Sequence, residues 1–165
     1  MVKKYKKLST FFQILKKKYN SQKHNLSRMA QYMRKYCGAD WKKYVKYSRD
    51  TYHRISFAKY RTPQFEFVFI CWKKGQTAPI HNHPAKGCLM KILRGKLQET
   101  LFKKRCGKLF KIRTDIRRRN QVSYMDDSRG YHDVLALKDT VSLHIYSPPN
   151  YNPQFYNFKE CLGRK

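Results

Sequence analysis

Residues 64–72, QFEFVFICW, constrain the fold more than any other stretch of this 165-residue chain. Aromatic and β-branched residues fill it, a composition that suits a pleated strand and loses side-chain freedom in a helix. Further short runs of strand character follow: LMKILRG, KLQETLF, KLFKIR, QVSYM, HDVLAL and VSLHIYS. Their lengths and roughly even spacing predict an all-β barrel or sandwich, with LMKILRG and KLQETLF meeting at Arg94–Gly95 in a hairpin-like break. Upstream the hydrophobic period is helical. Phe11/Phe12, Leu15 and Tyr19 recur after Ser9/Thr10, which can cap. Leu26, Met29/Ala30, Met33 and Tyr36/Cys37 point inward after Asn25, a second cap, and end at Gly38. Trp41, Tyr44, Val45 and Lys46–Tyr47 suggest a third, shorter helix. The expectation is one mainly β domain over residues 1–165, with a helical region over 1–50 and the barrel over 51–165.

Composition narrows the class. Hydrophobic content of 41% and aromatic content of 15% support a folded core at this length. No run approaches the ~20 apolar residues of a membrane span. The start, MVKKYKKLSTFF, lacks a signal peptide's apolar core and cleavage site. Cys37, Cys71, Cys88, Cys106 and Cys161 are odd in number and form no CxxC pair, unlike a secreted disulfide framework. A cytoplasmic protein in a reducing compartment is the expectation.

The net charge of +28 is extreme, and its densest run is Lys103 to Arg119, KKRCGKLFKIRTDIRRR, with nine basic residues and one acid. Such a surface attracts polyanions through counterion release, with strong salt dependence. The excess recurs in almost every segment, which points to biased lysine usage on a solvated surface more than to a tuned groove. It reverses over residues 121–155, where four aspartates face Arg129 and Lys138.

Within GQTAPIHNHPAKGCLMKILRG, His81 and His83 are two apart, so on a strand both imidazoles leave the same face. Residues 84–87 read as a turn. Cys88, Met90 and Ile92 then alternate on the next strand while Lys91 faces the opposite way. Two imidazoles and a thiol can thus enter one cavity from neighbouring strands. The other histidines are His24, in a polar interhelical stretch, His53, His132, which follows the turn DDSRGY, and His144. Ser142, His144 and Tyr146 share one strand face opposite Val141, Leu143 and Ile145. A Ser/His/Tyr row opposite an apolar face predicts a hydrogen-bonded lining of a pocket, because buried polar groups need partners. The bland alternative for His-x-His is an accidental surface pair.

Gly75, five residues, His81-x-His83, four residues, Cys88, six residues and Gly95 resemble the first motif of the cupin barrels, with Cys88 in place of the usual glutamate ligand. ICWKKGQTAPIHNHPAKGCLMKILRGKLQETLF together with SLHIYSPP resembles the cysteine dioxygenases, mononuclear iron enzymes of the cupin fold, from about Tyr52 to Pro149. The resemblance implies a jelly-roll-type barrel, one Fe(2+) per chain, O2 as co-substrate, and oxidation of L-cysteine to 3-sulfinoalanine by a monomer. By position it implies His81, His83 and His132 as iron ligands, and Cys88 with Tyr146 as a thioether cross-link. Ser142 and His144 would be the row that orients Tyr146. In Tyr52-His53-Arg54, Arg54 would bind the substrate carboxylate with Tyr52 beside it, and Arg61 in YRT is the rival.

The chemistry is consistent with that pattern. Three neutral imidazoles leave Fe(II) a formal +2, which favours a thiolate arriving with its neighbouring amine. Chelation would place sulfur beside a free position for O2. Arg54 would be a bidentate carboxylate clamp, and Tyr146 could donate a hydrogen bond to the reacting oxygen or the carboxylate. Some positions depart from the family. Asn82 stands where an acidic residue is common, the second motif is degenerate around Asp126–His132, and NYNPQFYNFKECLGRK matches neither the family's later strands nor its mouth cysteine. The alternatives are another small thiol such as 3-mercaptopropionate, zinc on the same three histidines, or a basic cupin that binds nucleic acid with catalysis lost. The last rests on Lys103 to Arg119 interleaved with Leu109, Phe110 and Ile112, a strand periodicity that offers no base-stacking platform.

Overall fold

QFEFVFICW lies in a sheet that is covered on both faces. In the computed structural model, which describes residues 4–156, nine strands form two antiparallel sheets. The strands are β1 (His53–Arg61), β2 (Glu66–Trp72), β3 (Thr77–His81), β4 (Cys88–Arg94), β5 (Lys96–Arg105), β6 (Lys108–Arg118), β7 (Val122–Met125), β8 (Tyr131–Ala136) and β9 (Thr140–Tyr146). One sheet has the order β1-β2-β9-β4-β7 and the other β3-β8-β5-β6. Val68, Ile70, Trp72, Met90, Ile92, Leu97, Val134 and Ala136 fill the interior between them.

The outer face of the five-stranded sheet carries the helical region. This comprises α1 (Leu8–Ser21), a 3₁₀ turn (Ser27–Met29) running into α2 (Ala30–Met33), and a second 3₁₀ turn (Asp40–Tyr44). Phe11, Phe12, Leu15, Met29, Met33 and Tyr36 pack there against Phe65, Phe67, Phe69, Leu89, Leu143 and Ile145. Phe12 meets Phe67 edge to face at 5.0 Å. Every residue of β2 and β9 is buried, so β2 has no polar face to alternate and reads as a continuous apolar run.

Lys91 points out of the barrel into this helical layer and is 0% exposed. Its ammonium donates to the carbonyls of Met33 (3.0 Å), Arg34 (3.1 Å) and Tyr36 (2.5 Å). These carbonyls lie where α2 ends, and the last turn of a helix leaves such groups without an internal partner. A buried lysine therefore joins the two layers.

Several local expectations are corrected. α1 begins at Leu8, ahead of Ser9/Thr10, and its capping acceptor is the distant Asp40 carboxylate, which takes the Leu8 N–H at 2.7 Å. α2 stops at Met33, short of Gly38, because the chain next pairs with the N-terminal segment: Tyr5 N–H donates to Lys35 O and Cys37 N–H to Tyr5 O, both at 2.9 Å. Cys37 is exposed, not inward. Finally, Arg94–Gly95 is a corner between sheets. β4 is paired with β7 and β9, and β5 with β6 and β8, so no edge is left for a β4–β5 hairpin. Gly95 takes φ +88 there, and a Cβ would come within 2.2 Å of Thr140 Oγ1.

Asn25 does not cap α2, whose N-cap is Met29; its side chain accepts the Arg28 N–H at 3.3 Å in the 3₁₀ turn ahead of that helix. The run from Lys103 to Arg119 lies on β5, β6 and their connections, where Ile112 (46%) and Ile116 (38%) are exposed. Cys161 lies outside the described residues. Among the described residues no helix is long and apolar enough to cross a membrane.

Lys91→Met is expected to remove the ammonium from three carbonyls, those of Met33 and Tyr36 buried, and cost on the order of 2–3 kcal/mol, a loss of roughly 5–10 °C in melting temperature. Burial lowers Lys91 from its ordinary 10.5 to about 8. Below that pH both folded and unfolded chains hold the proton and the burial penalty stands in full. Between about 8 and 10.5 the folded chain releases it first, so this group's contribution to stability rises with pH. Denaturant unfolding at pH 7.5 and pH 10 checks this, with the rise smaller in Lys91→Met.

Candidate metal centre

His81 ends β3 and His132 is the second residue of β8, and the two are direct partners in the β3–β8 pairing. His83 lies beyond the end of β3 and not on the strand as expected, yet its ring is buried and turned to the same point. Its N–H donates to Asp127 Oδ1 at 3.3 Å, which ties that connection to the segment before β8. The Nε2 atoms of His83 and His132 are 3.0 Å apart, and those of His132 and His81 3.1 Å. Nitrogens about 2.1 Å from one ion and at right angles to each other are about 3.0 Å apart. Ligand atoms of all three lie within 4.8 Å of one another, so the cluster could hold a metal ion.

The outer nitrogens fix which atom faces inward. His81 Nδ1–H donates to Pro79 O at 2.7 Å, and His132 Nδ1–H to Glu99 Oε1 at 2.9 Å. Each leaves Nε2 as the lone-pair nitrogen. Burial, reinforced by the neighbouring His132, lowers His81 to about 3 and puts His83 well below its usual range. Both are therefore neutral donors at pH 7.

Glu99 is a site residue that sequence reasoning did not single out. Its second oxygen accepts from Arg117 Nε at 2.8 Å. Burial works to raise this carboxyl, but His132 and Arg117 outweigh it and lower it to about 2. The signal was available: Glu99 shares the parity of Leu97 on β5, which faces the interior.

A second group of side chains lies beside the histidines. Trp72 Nε1–H donates to Ser142 Oγ at 3.0 Å, and Ser142 Oγ lies 2.8 Å from His144 Nε2. His144 Nδ1 is 3.4 Å from the Tyr146 hydroxyl and 3.7 Å from Cys88 Sγ. An indole N–H can only donate, and the Ser142 hydroxyl lies closer to His144 Nε2 than to its other acceptor, Ile70 O at 3.5 Å; with its proton on the shorter contact, Nδ1 carries the imidazole proton. Tyr146 oxygen can accept that proton's hydrogen bond and keep its own O–H for the cavity. Burial, followed by the Arg54 charge, lowers His144 to about 3; burial also raises the Cys88 thiol and the Tyr146 phenol. Cys88 opens β4 directly opposite Tyr146 on β9 and is not one of the three clustered ligands.

Arg54, on β1, lines the same cavity, with its guanidinium carbon 4.7 Å from the Tyr146 ring centre. Tyr52 packs on Trp72 at 4.6 Å. Arg61 does not line the cavity; it pairs with Glu66 at 3.1 Å at the far end of β1. The predicted residues His81, His83, His132, Cys88, His144, Tyr146, Arg54 and Tyr52 all line one cavity, and Ser142 supports it from behind.

Two antiparallel sheets closed around a pocket with a three-histidine cluster define a cupin barrel with a candidate metal centre. Solved structures share this fold. A cupin superfamily protein from Desulfitobacterium hafniense aligns with TM-score 0.51 over 64% of this chain and 84% of its own, at 10% identity. A Klebsiella pneumoniae protein with a double-stranded β-helix domain aligns with TM-score 0.52 over 69% and 86%, at 14% identity. The sequence model of cysteine dioxygenase type I matches residues 1–160, and the chain belongs to that family. It is 37% identical to the cysteine dioxygenase type 1 of Bos taurus over 117 residues, covering 67% of this chain and 58% of the bovine protein. It is 35% identical to that of Homo sapiens over 116 residues, with the same coverage. The matched region thus spans less than two thirds of these relatives' length.

Glu99→Gln keeps the shape but loses the charge behind His132. Metal affinity is expected to fall about 10- to 100-fold, as measured by competition between the protein and a chromophoric chelator.

Proposed function

We propose that this chain is an iron-dependent thiol dioxygenase that oxidises L-cysteine with O2 to 3-sulfinoalanine, both oxygen atoms entering the product. The observation that carries the reading is the convergence of three imidazole Nε2 atoms on a cavity that also holds Arg54 and Tyr146. It is supported by membership of the cysteine dioxygenase type I family. The donor set fits Fe(II): three imidazoles, no protein carboxylate among them, and an outer carboxylate that orients His132. Bound there, Fe(II) would supply adjacent open positions for the substrate thiolate and O2 and the redox capacity to combine them.

The side chains of the chain do the rest. Arg54 receives the carboxylate and fixes which end of the molecule faces the histidines. Tyr146, oriented by the Trp72–Ser142–His144 line, presents its O–H to the reacting oxygen or to the carboxylate. Because His144 and Tyr146 are neutral and buried, that proton is held in place and not lost to solvent. Cys88 and Tyr146 form a thioether with loss of two hydrogens to O2, which their direct pairing across β4 and β9 permits. The protein acts as a cytoplasmic monomer, and Lys103 to Arg119 contributes only salt-sensitive, non-specific affinity for polyanions.

The test is cysteine-dependent O2 uptake with sulfinate detection, alongside metal analysis. Wild type is expected to load iron and form sulfinate, and His132→Ala to do neither. Activity in His132→Ala, or zinc as the only supporting metal, would overturn the reading. A higher kcat/KM for 3-mercaptopropionate than for cysteine would reassign the substrate.

Arg54→Ala should lower kcat/KM about 10- to 100-fold, the worth of a charged hydrogen-bonded clamp, chiefly through KM. Arg54→Lys should recover only part of it. Mass spectrometry after turnover should find a species lighter by two hydrogens, absent from Cys88→Ser.

A further inference from the structure

Beyond β9 the chain turns back over the cavity, and the residue between the first two histidines holds it there. Asn150 N–H donates to Glu66 Oε1 at 2.8 Å, and Glu66 is itself held by Arg61. Asn82 Oδ1 accepts twice, from the Tyr151 hydroxyl and from Gln154 N–H at 2.9 Å. Asn82 N–H donates to Gln154 O at 3.3 Å and Tyr156 N–H to Ile80 O at 2.8 Å, so the segment pairs beside β3. Pro153 and Phe155 line the cavity, and the Phe155 ring centre is 5.9 Å from that of His81.

The same segment touches the groups to which the proposed function gives substrate-facing roles. The Tyr151 ring stacks on Tyr146, with centres 5.7 Å apart and planes at 26°. The Tyr151 carbonyl accepts from Arg54 Nη2 at 3.0 Å. One edge of the guanidinium is thus taken by backbone, and chain continuing from a bound carboxylate would run into Tyr151. About 30 Å³ remains free beneath, on a scale where one water needs ~10–15 Å³.

We propose that residues 150–156 are a latched strap, with Asn82 and Tyr151 as positioning residues that restrict the site to small thiols bearing a free carboxylate. The strap shuts the mouth, steadies Arg54, and excludes thiols extended at the carboxyl end, such as a cysteinyl dipeptide. The specificity claim rests on the proposed function; the closure claim does not.

The experiment has two arms, run on Asn82→Ala, Asn82→Asp and Tyr151→Phe. The first follows alkylation of Cys88 by a small maleimide in protein that has not turned over, read peptide by peptide by mass spectrometry, with metal content recorded. The second compares kcat and KM for cysteine and for cysteinylglycine. Losing the two hydrogen bonds that Asn82 Oδ1 accepts is expected to speed Cys88 labelling at least about tenfold in Asn82→Ala. KM for cysteine should rise more than kcat falls, and the preference for cysteine over the dipeptide should narrow. Asn82→Asp keeps the acceptor oxygen and should restore wild-type labelling, and Tyr151→Phe should lie between. Unchanged labelling in Asn82→Ala and Tyr151→Phe would overturn the latch, as would Asn82→Asp behaving like Asn82→Ala. If Asn82→Ala loses metal, Tyr151→Phe decides alone. Failure of wild type to oxidise any thiol would remove the proposed function while labelling still decides the strap.

Discussion

The pairing of β9 with β2 on one side and β4 on the other fixes most of what matters in this molecule. β9 is buried on both faces, and the faces have opposite chemistry. Val141, Leu143 and Ile145 face the helical layer; Ser142, His144 and Tyr146 face the cavity. The register with β2 brings Trp72 within reach of Ser142, and the register with β4 sets Cys88 opposite Tyr146. A slip of one residue would exchange the two faces, driving polar groups into the helical core. The apolar packing of the helices therefore also specifies the register of the polar row.

The interior separates charge from neutrality. The chain carries +28, yet His81, His83, His144 and the phenol of Tyr146 are held neutral by burial. The buried carboxylate beside them is Glu99, and it is satisfied by His132 and Arg117 together. A buried anion with two partners tolerates loss of solvent; with one removed it would not. The three-histidine cluster thus has a fixed negative charge behind one member, and a fixed positive charge, Arg54, lines the same cavity over the Tyr146 ring.

Much of this was legible in the sequence because two signals are local. QFEFVFICW could only be a strand, and the Ser142/His144/Tyr146 row announced its pocket by facing an apolar stripe. Other features were settled by distant partners. α1 is capped by Asp40, α2 is cut short by pairing with Tyr5, and β1 shows no clean alternation because part of it is open to solvent. Arg94–Gly95 looks like a hairpin until the neighbours of each strand are known. His83 reaches the cluster from the connection after β3, so strand alternation does not account for its place there. Glu99 was hidden among alternating residues of KLQETLF, where only its parity marks it as interior. The strap has almost no pattern of its own, since its contacts are with Asn82, Glu66 and Ile80, far away in sequence.

Lys91 gives the helical region a metrical function. It stands three residues after Cys88 on β4, roughly 10 Å along a strand, and its ammonium ends on the carbonyls that follow α2. The end of that short helix is therefore tied to the strand that sets Cys88 opposite Tyr146. One turn more or less in that helix, about 5.4 Å, would carry those carbonyls out of reach of the ammonium, so the length of one side chain gauges the helical layer against the barrel.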